Sequence, residues 1–336
     1  MISTSVKRSL RKFLHEWTGL VAPPLKPVSL REVKEKAWQS GEAAQRYREN
    51  VGRVSIGMQR ELETALRFTY GRVLDVGAGT GRFSTWLANY QREVYALDIS
   101  AQMLREVNTS AASPIQFTRA SAFKLPFADK TFDSVISFWL LVHFREWTDI
   151  LSEMIRVVKP GGLVTFEINN RFNFEKGAKI SPGAAFVTRV NNPGEFTAFA
   201  DLEDVKAAAA RSGANIVWSH YYDIFNDNFV AQAIEADKYP DWLTAINDGL
   251  ADEQCRSFWY DFEEKVLPSL PQWFARKQLI VLQKTGSSSK SALPVAPLTD
   301  GLNKQLQPNE NAVLYKLFLS TFSRCCPELQ DIIRQQ

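Results

Sequence analysis

Val73-Leu74-Asp75-Val76-Gly77-Ala78-Gly79-Thr80-Gly81-Arg82 is the stretch on which the fold turns. It reads as a strand ending in an acid, then a glycine-laced turn, then the start of a helix. Glycines let such a turn bring backbone close to a ligand, and the free N–H groups of a helix start suit an anion. Val94-Tyr95-Ala96-Leu97-Asp98 follows at βαβ spacing and also ends in an acid. A carboxylate in that position can accept from both hydroxyls of a ribose. Two strand-end acids around a glycine turn outline a nucleoside pocket.

Outward from this stretch, residues 72–170 alternate strand and helix. Strands are predicted at Val73–Val76, Val94–Leu97, Ile115–Thr118, Ser134–Phe138 and Leu163–Ile168, with helices at Arg82–Tyr90, Ala101–Asn108 and Trp147–Val158. Lys159-Pro160-Gly161-Gly162 reads as a helix stop and a turn into the fifth strand. Such alternation implies a parallel sheet covered by helices on both faces. Asn169 to Phe199, rich in Asn, Gly, Pro and Phe, reads as a long loop of the kind that often carries function. A helix is predicted from Asp201 to about Ser212, and final strands at Asn215–Ser219 and Gln278–Gln283. Between those strands lies an aromatic-rich helical insertion, about 224–276, suited to a lid or a wall.

Three regions follow: an N-terminal helical region over 1–65, an α/β domain over 66–285, and a linker with a C-terminal helix over 286–336. Val6, Leu10, Phe13, Leu14, Trp17 and Val21 recur at helical spacing with basic residues opposite. This amphipathic segment, residues 5–21, suits docking against a protein surface; the other reading is contact with an anionic membrane surface. A polar helical stretch over Val33–Phe68 leads into the first strand. Gly286-Ser287-Ser288-Ser289 opens a linker, and Val313, Leu314, Leu317, Phe318 and Phe322 form a second apolar stripe.

Composition narrows the class. Of 336 residues 45% are hydrophobic and 23% charged, which a globular chain needs to build a core. A formal net charge of only +3 gives no global electrostatic case for nucleic acid. Three cysteines supply neither a disulfide framework nor zinc spacing, so no metal is expected and a reducing, cytoplasmic setting is. No run reaches the roughly 18 apolar residues of a membrane span.

The sequence resembles the class I S-adenosylmethionine (SAM) dependent methyltransferases. Five elements carry the resemblance in order: Asp75-Val76-Gly77-Ala78-Gly79-Thr80-Gly81; Asp98; Ser121-Ala122-Phe123-Lys124-Leu125-Pro126-Phe127; Phe132-Asp133-Ser134-Val135-Ile136; and Val157-Val158-Lys159-Pro160-Gly161-Gly162. A dinucleotide site would place its third glycine where Arg82 stands. The resemblance implies a doubly wound, mostly parallel seven-stranded sheet (the Rossmann-like methyltransferase fold) and SAM as cofactor, released as S-adenosylhomocysteine. It implies that Asp75 orders the turn near the methionine amino group. Gly77 and Gly79 admit backbone to the cofactor, and Gly81 lets the next helix pack. Asp98 takes the ribose hydroxyls, Ile99 lies against adenine, and Ala122 and Phe123 hold the ring. Family members often carry Asp where this chain has Ser121, which offers one hydrogen bond in its place. Trp139 lines the reactive end.

Methyl transfer from a sulfonium is an in-line displacement that mainly needs positioning. His143, after the fourth strand, is the candidate general base, with a buried structural histidine as the alternative. Glu167, Asn169, Asn170 and Arg171 close the fifth strand and suit hydroxyl or carboxylate recognition, against plain turn formation. Tyr47, in the helix before the first strand, is a candidate cap over the site, and His220, Tyr221 and Tyr222, ending the sixth strand, are candidate wall residues, against plain packing. Ser137-Phe138-Trp139-Leu140 lacks the Asn-Pro-Pro-Tyr type signature of base and glutamine methylases. The expected acceptor is therefore a small molecule, sugar or lipid-linked glycan, methylated at oxygen, with a quinone or lipid ring as the alternative. A non-catalytic SAM-binding scaffold is the competing class. Transfer of another group, such as aminopropyl, ranks last because Trp139-Leu140-Leu141-Val142 is apolar.

Overall fold

The computed structural model describes residues 30–39, 56–107, 110–177, 186–189, 192–225, 242–286, 315–316 and 318–320. Residues 5–21 and Tyr47 lie outside the described residues, as do most of the linker and of the C-terminal stripe.

Two helices among the described residues, α1 (Leu30–Gln39) and α2 (Ile56–Arg67), precede the first strand. The doubly wound core follows: β1 (Arg72–Val76), α3 (Arg82–Asn89), β2 (Glu93–Asp98), α4 (Ala101–Arg105), β3 (Ile115–Arg119), β4 (Phe132–Ser137), α5 (Trp147–Val157) and β5 (Val158–Asn170). Each strand is a short apolar run flanked by helices, and the central ones bury nearly every side chain: Val73, Leu74 and Val76 in β1, Val135 and Ile136 in β4, and Val164, Phe166 and Ile168 in β5. Helix α5 contributes Ile150, Leu151, Met154 and Ile155 to the largest apolar cluster from one face. The chain passes directly from α5 into β5. The Pro160-Gly161-Gly162 turn is absorbed as an irregularity in β5, where its pairing with β4 jumps from Phe132↔Val158 to Ser134↔Leu163.

The strands run β3-β2-β1-β4-β5 in parallel; β9 (Lys277–Lys284) pairs antiparallel with β5, and β8 (Ala214–Tyr222) antiparallel with β9. These seven strands are the expected mostly parallel core of a nine-stranded sheet. The order reverses between β1 and β4, which leaves a crevice at the C-terminal edge beside β1.

The predicted 169–199 loop is overturned in its described parts. Asn169 and Asn170 still belong to β5, α6 (Arg171–Gly177) follows, and β6 (Phe186–Arg189) and β7 (Asn192–Ala200) form a hairpin. β4 stops at the Ser137↔Phe166 pair, and β7 pairs with the exposed end of β5 through Asn169↔Phe199 and Asn170↔Ala200. β9 holds the other edge of β5 at these positions, so β7 extends the sheet on the β4 side, above the end of β4. Asp201 caps α7 (Leu202–Arg211) in a capping box with Asp204.

The insertion contains α8 (Trp242–Ala251) and α9 (Glu253–Lys265) among its described residues. It has its own aromatic core of Trp259, Phe262 and Phe274, joined by Phe318. No helix among the described residues is long and apolar enough to cross a membrane.

Candidate functional site

The β1–α3 turn is built by left-handed backbone. Gly77, Gly79 and Gly81 all have positive φ, and a Cβ on Gly81 would meet Val107 at 2.4 Å. That position therefore admits only glycine if α3 is to start where it does. The turn is tied to β2: Gly77 and Ala78 N–H donate to the Leu97 carbonyl at 2.8 and 2.9 Å, and Gly79 N–H donates to Asp98 Oδ2 at 2.9 Å. Asp98 Oδ1 accepts from Ser100 N–H at 2.8 Å. Burial pushes the Asp98 carboxyl up, and these backbone donors oppose that shift.

Asp75 sits below the turn rather than in it. Its side chain is 1% exposed, and Ser84 Oγ donates to Oδ2 at 2.6 Å. Burial pushes its carboxyl up to about 7, with the Ser84 bond opposing and the Asp98 charge adding.

Above the turn lies an open cavity, about 640 Å³ with its mouth included. Gly77, Gly79, Asp98, Ile99, Ala122, Phe123, Trp139 and His143 line it, which gathers eight of the sequence-predicted residues in one place. Met103, Phe138, Leu140 and Phe144 complete an apolar wall. Glu35 and Trp38 reach the same cavity from α1. No local pattern marks either one, because only the three-dimensional return of α1 over the sheet brings them there.

Other expected residues are engaged elsewhere. Ser121 does not face the cavity; its hydroxyl donates to Glu35 Oε1 at 2.5 Å and accepts from Phe123 N–H at 3.3 Å. Asn169 Nδ2 donates to the Ala198 carbonyl, fastening β7. Asn170 Nδ2 donates to the Gln272 and Ala275 carbonyls at 2.7 and 2.8 Å. Arg171 pairs with Asp201 at 2.8 Å and with Asp204, joining α6 to the α7 cap. These three side chains are bonded within the architecture beyond β5.

Glu167, Tyr222 and Trp139 meet in a buried polar network. Trp139, at positive φ just past β4, donates its backbone N–H to Glu167 Oε1 (2.9 Å) and its indole Nε1–H to Glu61 Oε2 (2.7 Å). Tyr222 donates its hydroxyl to Glu61 Oε1 at 2.5 Å. Lys277 Nζ lies 3.2 Å from Glu61, 3.6 Å from Glu167 and 4.5 Å from the Trp139 ring centroid. Burial pushes the Lys277 ammonium down, but the Glu167 and Glu61 carboxylates more than offset it, so the lysine is held charged. Tyr222 is fully buried beneath the cavity wall, not in it, and burial drives its phenol well above its ordinary value, with Glu61 adding to that. Lys277 begins an antiparallel strand, and that start lies opposite Asn169, at the edge where the parallel strands end. A lysine just ahead of the apolar run Leu279-Ile280-Val281-Leu282 was the available signal.

His143 lines the cavity from a short 3-10 turn (Leu141–His143), its ring 5.1 Å from Trp38. Burial, with the Lys34 and Lys277 charges, pushes its imidazole down to about 3. A ring so hard to protonate is neutral near pH 7 and a poor general base, which corrects the role expected from its placement. Among the described residues no cluster of His, Cys, Asp or Glu is suited to a metal.

The donor set fits a nucleoside. The Asp98 carboxylate accepts the Gly79 and Ser100 N–H groups, with Ile99 N–H also acting on it, and a carboxylate has lone pairs for about four donors, so capacity for a ribose hydroxyl remains. Ile99, Met103, Ala122 and Phe123 next to it give a planar base an apolar slot.

A family model described as a methyltransferase domain matches residues 74–166. The demethylmenaquinone methyltransferase of Renibacterium salmoninarum is 44% identical over 100 residues, 30% of this chain and 42% of that protein. The phosphatidylethanolamine N-methyltransferase of Cereibacter sphaeroides is 33% identical over 166 residues, 48% of this chain and 80% of that protein. The crystal structure of magnesium protoporphyrin IX methyltransferase from Synechocystis PCC 6803, with bound SAH, aligns at 13% identity and a TM-score of 0.49, over 76% of this chain and 100% of that one. The chain spans less than half the length of two demethylmenaquinone methyltransferases it matches, 42% and 41%. With its glycine turn, strand-end acids and mostly parallel sheet, the chain belongs to the class I SAM-dependent methyltransferases.

Proposed function

We propose that this protein methylates a planar, apolar acceptor of the quinone or lipid-ring kind. The observation that carries this reading is the wall of the donor cavity: Trp38, Phe138, Trp139, Leu140, His143 and Phe144 present rings and aliphatic groups, with the imidazole neutral. Such a wall favours a flat apolar ring over a glycan, whose hydroxyls need a set of fixed polar partners. The polar groups expected to serve a sugar, Asn169, Asn170 and Arg171, are bonded to the protein itself. One relative is named for demethylmenaquinone, a planar ring acceptor, which supports the same reading.

SAM, when bound, supplies an activated methyl on a positively charged sulfur. In this reading Asp98 holds the ribose, and the Gly77–Gly79 backbone fixes the donor's height above the sheet. Glu61 and Glu167 set the Trp139 ring against the reactive end through the two hydrogen bonds described above. Catalysis is then chiefly orientation and exclusion of water.

Calorimetric titration tests the pocket. SAM binds the wild type saturably, and Asp98→Ala weakens binding about 100-fold, as expected for losing a charge-assisted bond to the ribose. Undiminished binding would overturn the assignment. Mass spectrometry after incubation with SAM and a demethylated quinone, phosphatidylethanolamine or a lipid-linked glycan tests the acceptor. A methylated quinone is expected, and methylation of phosphatidylethanolamine or of the glycan alone would overturn the planar-ring reading.

A further inference from the structure

We propose that Glu35, carried on α1, reads the exocyclic amine of the donor's adenine and so sets the base specificity of this site. The inference rests on the donor-pocket reading above and adds a residue that lies outside the matched methyltransferase region, 74–166.

Position follows from the ribose. If Asp98 holds the ribose, the attached base must lie in the adjoining slot of Ile99, Met103, Ala122 and Phe123. Glu35 borders that same cavity, and its Oε1 is anchored by the Ser121 hydroxyl at 2.5 Å, two residues before Phe123. A carboxylate is therefore fixed at the edge of an apolar slot.

Chemistry gives the preference. The Glu35 side chain is 18% exposed, and Arg31 reaches only to 3.9 Å from Oε1. Instead, the Arg31 guanidinium lies 3.6 Å over the Phe123 ring, which pins α1 across the slot. A carboxylate oxygen at the edge of an apolar cavity makes a strong bond to any donor placed there. It is acceptor-only, so it selects a base edge that donates. An amino-purine donates there, and a 6-oxo purine presents a second acceptor. Ser121, with a neutral hydroxyl already spent on Glu35, does not supply this discrimination; the helix brings the carboxylate in its place.

The same Glu35–Ser121 bond could be only a clasp for α1, and base selectivity separates the two. Titration calorimetry with S-adenosylhomocysteine and its inosine (6-oxo) counterpart gives the ratio of affinities. The wild type prefers the amino form by about tenfold or more, as sites built around a hydrogen-bonded N–H do. Glu35→Met, near-isosteric and compatible with a helix, brings the ratio to within about twofold. Glu35→Gln, which also offers an amide N–H to the 6-oxo base, lowers or inverts the ratio and serves if the methionine variant does not fold. Ser121→Ala frees the carboxylate from its anchor and lowers the selectivity, by less than either Glu35 variant does. A wild-type ratio near one, or a wild-type ratio retained in the Glu35 variants, overturns this inference while the donor pocket stands. No binding of either ligand to the wild type overturns both.

Discussion

Asp75 shows how one carboxyl can report on the whole site. It ends β1, 1% exposed, with one hydroxyl bonded to it and a second carboxylate nearby. Its ordinary value is 3.8, and in the fold it is pushed up to about 7. Between those values the native protein keeps the proton while the unfolded chain releases it. The contribution to stability is thus fully present below about pH 4 and is lost as pH climbs through 7. Asp75→Asn replaces the protonated carboxyl group for group, keeps an acceptor for Ser84 and removes the titration. Urea unfolding should show the variant gaining on the wild type by up to about 4 kcal/mol between pH 4 and pH 8. A difference independent of pH would mean that Asp75 is ionised in the fold. At this scale the sequence was informative where backbone geometry decides. Gly77, Gly79 and Asp98 had to fall at the turn and the strand end once the βαβ unit was recognised. It was uninformative where a side chain chooses among partners. Asn170 and Arg171 stand at the correct strand end, yet carbonyls and the α7 cap claim them, and those partners come from distant segments. His143 was placed well, but its basicity depends on burial and two lysines that a linear reading does not bring near it.

Elements meet beneath Trp139, where α2, β5, β8 and β9 each contribute one polar side chain. Glu61, Glu167, Tyr222 and Lys277 form a closed set in which one cation faces two carboxylates that are almost fully buried. Removing the cation leaves both acids without their counter-charge. Lys277→Met should therefore cost about 3–5 kcal/mol in urea unfolding, the usual penalty for breaking a buried pair. Because Glu61 and Glu167 also hold the Trp139 indole and backbone, tryptophan fluorescence and SAM affinity should change with it. Lys277→Met combined with Glu167→Gln should recover part of the loss, since one orphaned charge is gone. Strictly additive losses in the double variant would show that the two residues do not interact. This network was legible only in halves. Glu167 and Tyr222 were visible as strand-end residues, while Glu61 and Lys277 belong to elements whose packing the linear pattern does not reveal. The β6–β7 hairpin was read as loop for a related reason. Its pairing rests on the end of β5 outlasting β4, a difference in strand length that periodicity does not encode.

At the scale of the molecule, alternation of strand and helix was sufficient to predict the doubly wound sheet, because short connections and right-handed crossovers leave few ways to stack βαβ units. How the helical insertion joins that sheet was not predictable, and one arginine largely decides it. Arg60, on α2 and 4% exposed, donates to Glu263 at 3.2 Å, to Glu264 at 2.5 Å and to the Tyr260 carbonyl at 2.9 Å, all on α9. Glu263 in turn accepts from the Asp223 and Ile224 N–H groups at 2.9 and 3.0 Å, where the chain leaves β8. This carboxyl, 1% exposed, ties the start of the insertion to one of its helices. Burial pushes it up to about 7, with Arg60 opposing. Arg60→Met takes away the opposing charge, so the carboxyl must rise further. A buried acid raised in the fold stabilises while protonated and loses that contribution as pH climbs through its native value. The variant should therefore be destabilised by about 3–5 kcal/mol at pH 8, and by distinctly less at pH 5, where Glu263 takes a proton instead of standing as an unpaired charge. Adding Glu263→Gln should narrow the gap between the two pH values, because the amide still accepts from the β8 exit but no longer titrates. Denaturant unfolding of the three proteins at both pH values makes the comparison. An equal loss at pH 5 and pH 8 would place the stabilisation in the packing of the arginine stem and its stacking on Tyr260, 4.2 Å from the ring, and not in the charge pair.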